Sequence, residues 1–396
     1  MASKIVLHIG LQKSGTTFLQ HMFQNNGETL AESGVLYPVP RDWRRGRRTV
    51  ANHEWASYGL LGTEYPWVSE LRAAKEEPSW RALLEQVRAH PGTVLLSAEA
   101  LSVIRADAVS RLFDALGADD VDVVITARSP GRSLPSLWQQ HIRNGLSTGF
   151  DGYLRRLARN RDKAEAHIES EPDAHIWRAF ILSGLVRRWS EAGASKVSVV
   201  TSPGRPPQLL LDRFTRAAGL PALTHAPVPE HQAHTGLTAP ETLVLASLNA
   251  VLRRDSWSKS RADRARKAVT ERFQARDERG GKVTVPPAWR SRVAEWSEED
   301  LDALRGTGAL IVGDPADLRY DPAGDETEPP TPEETARAGA EAALALLRAV
   351  PRSSAQHNTR RLRRLLPCLP GRATAAGRLS GERPRSHPRV RRTAEP

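Results

Sequence analysis

One stretch near the N-terminus limits the folds open to this chain: Leu7-His8-Ile9-Gly10-Leu11-Gln12-Lys13-Ser14-Gly15-Thr16-Thr17-Phe18-Leu19. Residues 5–9 form an apolar run without polar alternation, the pattern of a strand buried on both faces of a parallel sheet. A loop with two glycines follows, and an apolar-faced helix begins directly behind it. Such a loop points successive backbone N–H groups at one spot beside the positive end of a helix dipole. Lys13 adds a full positive charge, and Ser14, Thr16 and Thr17 add hydroxyl donors. With the Gly15 turn and Phe18 at the helix start, the segment predicts a site for a phosphate or phosphosulfate.

Further apolar runs at 93–96, 121–126 and 196–200, with a shorter one at 34–38, predict more strands. Helical stretches such as 18–24 and 80–88 separate them. The alternation predicts an α/β fold with a central parallel sheet flanked by helices, its core in residues 1–225. Residues 230–320 read as a helical part. There Thr238-Ala239-Pro240-Glu241 has capping-box spacing ahead of Leu243, Val244, Leu248, Val251 and Leu252, and a charged amphipathic stretch follows at 261–273. Thr331-Pro332-Glu333-Glu334 repeats the capping spacing. The expected layout is a domain over 1–320, a linker and C-terminal helix over 321–350, and a basic tail over 351–396.

The formal net charge of +11 invites a nucleic-acid reading, so its location matters. Residues 352–396 hold twelve arginines against Glu382 and Glu395, a net of +10 that leaves about +1 for everything before them. The basic excess belongs to a tail rich in Arg, Pro, Ser and Gly, which predicts disorder and a contact for acidic polymers. Cys368 is the only cysteine, which excludes an intrachain disulfide and paired-cysteine zinc sites. The N-terminal apolar run is too short for a signal peptide, and no stretch of about 18 apolar residues occurs. A cytoplasmic location is expected.

The first loop is not a Walker A motif, which needs lysine directly after the second glycine. Thr16 occupies that place, and the lysine has moved inside the loop to Lys13. Lys13-Ser14-Gly15-Thr16-Thr17 resembles the 5′-phosphosulfate loop of the sulfotransferases that use 3′-phosphoadenosine 5′-phosphosulfate (PAPS), with Gln12 where their proline usually stands. The resemblance extends to the run from Leu7 through Trp138 and to Ala309-Leu310-Ile311-Val312-Gly313-Asp314, which are similar to bacterial members. It implies a P-loop-like sulfotransferase fold, PAPS as co-substrate and no metal. It also implies a second element, an arginine at a strand end and a serine eight positions later that hold the 3′-phosphate. Arg128 and Ser136 have that spacing, with a helix expected near Ser133 and Arg132 as an additional candidate. Arginine offers phosphate a planar fork, and a hydroxyl near a helix N-terminus adds a donor. A third 3′-phosphate ligand has only loose counterparts in Arg253, Arg254 and Arg266-Lys267.

Sulfuryl transfer is in-line and depends on positioning and charge stabilisation. Lys13 is expected to stabilise the leaving bridging oxygen. The acceptor's proton needs a base, and the candidates rank as His53, then Glu99, then Glu54. His53 and Glu54 follow the segment 34–38, after which the resembling heparan sulfate enzymes carry a glutamate base; Glu99 ends a strand at the ligand-binding edge of the sheet. His8 reads as a packed core histidine and His141 as a distant fourth candidate. His225, His231 and His234 are too loosely placed in a loop to make a metal site. Trp43, Trp55, Trp67 and Trp80, beside Arg41, Arg44, Arg45, Arg47 and Arg48, suit either a core with a solvated loop or a lid over a small-molecule or carbohydrate acceptor. The main alternative to a sulfotransferase is a P-loop NTP-dependent phosphotransferase, which would need a carboxylate after residues 121–126.

Overall fold

The computed structural model describes residues 2–39, 52–226, 236–276, 281–325 and 328–349. Six strands, β1 (Lys4–Gly10), β2 (Val35–Leu36), β3 (Thr93–Ser97), β4 (Val121–Ala127), β5 (Lys196–Thr201) and β6 (Leu310–Val312), form one sheet in the order β2-β3-β1-β4-β5-β6. Every adjacent pair is parallel. Parallel pairing requires long crossovers, and helices supply them. The expected α/β fold with a central parallel sheet, flanking helices and helical additions is the one observed.

Strand β1 shows why its run lacks alternation. Ile5, Leu7 and Ile9 pack into one apolar cluster with Val94, Leu96, Val123 and Ile125, while Val6 packs into a second with Leu95, Val124 and Val200. Successive side chains face opposite ways, so a strand covered on both sides must be apolar throughout. From β1 the chain runs to β2 and β3 on one side; β4, β5 and β6 fill the other. A crevice therefore opens between the carboxyl ends of β1 and β4, where open α/β sheets bind ligands. The loop holding Lys13 leaves β1 there, and Arg128 follows β4.

Some element boundaries differ from expectation. The helix behind β4 is Pro130–Arg143, so it begins three residues before Ser133, and Ser136 lies in its second turn. Proline at the first helical position needs no N–H partner, so the helix can begin at Pro130, directly after the Ser129 cap. The helix expected at 80–88 starts at Glu70 and carries Pro78 inside it. The segment expected at 34–38 pairs only over Val35–Leu36. Strand β6 lies within the part read as helical, so the sheet draws on chain well beyond residue 225.

The helical additions include Ala239–Arg254, Lys259–Gln274, Arg290–Arg305 and Pro332–Ala349. At the last of these the Thr331 amide donates to Glu334 at 2.8 Å and the Glu334 amide to the Thr331 hydroxyl at 3.1 Å, the reciprocal pair that the spacing predicted. No described helix is long and apolar enough to cross a membrane. The tail with Cys368 lies outside the described residues, as do Arg41–Arg48, Trp43, His231 and His234.

Candidate functional site

The loop after β1 is built by its own hydrogen bonds. The Ser14 amide donates to the Leu11 carbonyl at 3.1 Å, closing a turn in which Lys13 has φ +73°. A positive φ at the third turn position is the type II arrangement, where proline is common at the second. Gln12 takes that second place, so the turn keeps its form without the ring. Gly15 caps the helix Thr16–Asn25 with φ +101°, a conformation that glycine adopts without strain. Gly10 is required for closeness, since a Cβ there would lie 2.4 Å from Thr126 Oγ1.

The Ser14 hydroxyl does not face the crevice, contrary to its expected role as a ligand. It is fully buried, donates to the Leu11 carbonyl at 2.7 Å and meets Thr126 Oγ1 at 2.7 Å. Thr126 in turn meets His8 Nε2 at 3.2 Å, His8 Nδ1 meets Ser97 Oγ at 2.8 Å, and Gln20 donates to Ser97 at 3.0 Å. One assignment satisfies every member: Gln20 to Ser97 to His8 Nδ1, then His8 Nε2–H to Thr126 to Ser14 to the Leu11 carbonyl. His8 is the neutral core histidine expected, its pKa pushed down to about 3 by burial.

A cavity of about 630 Å³ opens above this loop, lined by Lys13, Gly15, Thr16, Thr17, Glu99, Arg128, Ser136 and, further along the same helix, Arg143. The Lys13 loop and the Arg128–Ser136 pair therefore face one cleft. The first intrahelical bond of Thr16–Asn25 runs from the Leu19 amide to Gly15, so the amides of Thr16, Thr17 and Phe18 have no acceptor within the helix. The Phe18 ring itself packs on the apolar core and tilts against His225 at 5.8 Å, so only its backbone suits a ligand. Arg128 is half-buried, donates to the Lys13 carbonyl at 3.3 Å, and has a buried Nε without a partner. Burial, then Arg132, lowers its pKa. Arg132 instead donates to the Pro203 carbonyl at 2.8 Å.

Burial also pushes the Lys13 ammonium below its ordinary value; Glu99 opposes that push and Arg143 adds to it. The Glu99 carboxyl is raised to about 7, mainly by burial and also by Glu54, while the Thr16 hydroxyl, which donates to it, and Lys13 pull it down. A carboxyl with that balance, in a cleft beside a lysine, is suited to proton transfer near neutral pH.

His53, ranked first as the base, is placed otherwise. Its Nε2 bonds the Pro38 carbonyl at 2.8 Å and its Nδ1 accepts the Ser97 amide at 2.9 Å. Both ring nitrogens hold backbone, and burial lowers its pKa to about 4. His53 ties the chain after β2 to the end of β3 and does not line the cleft. Replacing it with alanine is expected to destabilise the protein by about 2–4 kcal/mol, through a buried cavity and two orphaned backbone groups. Denaturant unfolding at pH 7 measures that loss. Because the folded pKa is depressed, His53's share of stability is complete above about 6.5 and disappears as pH falls through about 4. Wild type should therefore lose more stability than the variant over that acid range.

Glu54 accepts from Tyr58 and is raised by burial, against the pull of Tyr58, Arg72 and the Ala100 amide. It reaches the site only through its field on Glu99. His141 packs edge-on against Tyr153 at 5.5 Å and does not line the cleft. Trp80 is core; Trp55 carries Arg72 over its ring at 4.1 Å, and Trp67 is 41% exposed. The loose candidates for a third 3′-phosphate ligand are engaged elsewhere: Arg253 on the Gly145 carbonyl, Arg254 on Asp255, Arg266 on Asp263 and Lys267 on Glu271. Sequence reading missed Arg143, although its spacing of seven from Ser136 puts both on one helix face. Among the described residues no group of three or more His, Cys, Asp or Glu is placed to hold a metal ion.

No protein-family model and no curated protein matches this chain. Among solved structures it is similar to the crystal structure of a sulfotransferase from Alicyclobacillus acidocaldarius, at 12% identity and a TM-score of 0.42, covering 77% of this chain and 96% of that one.

Proposed function

We propose that this chain is a sulfotransferase that moves the sulfuryl group of PAPS to a hydroxyl or amine and releases 3′-phosphoadenosine 5′-phosphate (PAP). The observation that carries the reading is that the Lys13 loop and the Arg128–Ser136 pair open into one cleft with a carboxyl, Glu99, beside the lysine. Its volume is ordinary for a nucleotide-sized ligand. The free amides of residues 16–18 and Lys13 suit the 5′-phosphosulfate, and Arg128 with the Ser136 hydroxyl suits the 3′-phosphate.

In this mechanism Glu99 accepts the acceptor's proton as its oxygen or nitrogen forms a bond to sulfur. The bond between sulfur and the bridging oxygen breaks, and Lys13 neutralises the charge that collects on that oxygen.

Melting-temperature shifts test the reading. PAP is expected to stabilise the protein well beyond AMP or Mg-ATP, and the opposite order would support the phosphotransferase alternative. Arg128→Ala should weaken PAP binding about tenfold to a hundredfold while barely changing the weaker AMP binding. Equal losses for the two nucleotides would remove Arg128 from the 3′-phosphate site.

A further inference from the structure

The cleft holds a third cation with no role in the nucleotide reading. Arg143 stands two turns beyond Ser136, about 10 Å along the helix axis on the same face, with Gln139 and Gln140 between them on the cleft wall. The helix end that presents it is fixed by the helical additions: the Asn249 side chain donates to the Ile142 carbonyl at 2.7 Å and the Leu146 carbonyl at 2.8 Å.

Arg143 is half-buried, and among the described residues nothing accepts a hydrogen bond from its guanidinium. Four arginines withdrawn from water elsewhere in the fold are matched. Arg161 meets Asp300 at 2.6 Å, Arg188 meets Glu169 at 3.1 Å, Arg213 meets Asp317 at 2.5 Å, and Arg178 donates to the carbonyls of Val103 and Ile168 at 2.7 and 2.9 Å. Burial lowers the Arg143 pKa with no carboxylate opposing it. A half-buried guanidinium that lines a cleft and has no acceptor among the described residues keeps its planar fork open to an oxyanion of a ligand.

The ligand is best sought in the acceptor. Both anionic ends of PAPS already have matched groups, and Arg143 sits at the far end of the wall from Ser136, within electrostatic reach of Lys13. We infer that Arg143 receives an oxyanion of the acceptor, a carboxylate or sulfate ester near the group that is sulfated. The inference rests on the sulfotransferase reading above.

Protein saturated with PAP is titrated calorimetrically with matched probes: 4-hydroxybenzoate against 4-hydroxybenzamide, and glucose against glucuronate and glucose 6-sulfate. At least one acid should bind roughly tenfold or more tighter than its neutral twin. The carboxylate and sulfate arms separate the two oxyanions. Arg143→Gln should abolish the preference while PAP affinity stays within about twofold, and Arg143→Lys, which keeps charge but loses the fork, should retain part of it. If Arg143→Gln does not fold, Arg143→Lys alone must still show a reduced preference. No preference in any pair, or a preference that survives Arg143→Gln, overturns the inference. So does a tenfold loss of PAP affinity in the variant, which would assign Arg143 to the nucleotide. Failure of wild type to prefer PAP over AMP in the melting-temperature comparison would sink the sulfotransferase reading itself, whatever the acceptor probes do.

Discussion

Lys13→Ala is expected to lower turnover by roughly 10²–10³-fold, the loss typical of removing one charged or hydrogen-bonding group aimed at charge that develops in the transition state. The loop should survive the change. Its shape is held by the Ser14 amide and hydroxyl on the Leu11 carbonyl and by Gly15, not by the Lys13 side chain. Alanine at φ +73° is strained no differently from lysine, so the backbone has little reason to move. PAP affinity should fall far less than turnover, because the bridging oxygen gains most of its charge only as the bond to sulfur breaks. Single-turnover rates with labelled PAPS, set beside PAP titrations, measure both quantities. Equal losses would mean that Lys13 merely binds the ground state.

Glu99→Gln is expected to cost about 10²–10⁴-fold in rate, the usual contribution of a general base. Glutamine keeps an oxygen for the Thr16 hydroxyl, so the local hydrogen bond persists. The base works ionised; the wild-type rate should therefore rise with pH up to about 7 and level above it, and the variant should lack that rising limb. Stability has the opposite sign. A raised folded pKa means that native Glu99 keeps a proton that the unfolded chain has already released. Its contribution is therefore complete below the ordinary value of 4.5 and is lost as pH rises through about 7. A rising limb that survives in the variant would take the proton-accepting role away from Glu99.

The parts of this molecule that were legible in sequence are those fixed by short-range chemistry. The run at 5–9, the loop and its helix needed only periodicity, glycine placement and charge, and the Arg128–Ser136 spacing located the second half of the cleft. Residues whose meaning depends on distant partners were read less well. Ser14 in a chain of hydroxyls looks like a ligand until Thr126, 112 positions away, is seen to share its hydroxyl. His53 looks like a base until both nitrogens are found on backbone from Pro38 and Ser97. Arg143 carries no motif, and its interest comes from what fails to pair with it. The three residues of β6 are too few to stand out beside the helices that surround them.

The buried relay from Gln20 to the Leu11 carbonyl has a consequence for how the cleft captures its ligand. The donors at residues 16–18 are aimed before any anion arrives, because the strand beneath and the imidazole between them hold the turn in one form. The freedom of that segment was surrendered when the chain folded, so under the proposed function a phosphosulfate would meet a finished cradle and spend less of its contact free energy on ordering the loop.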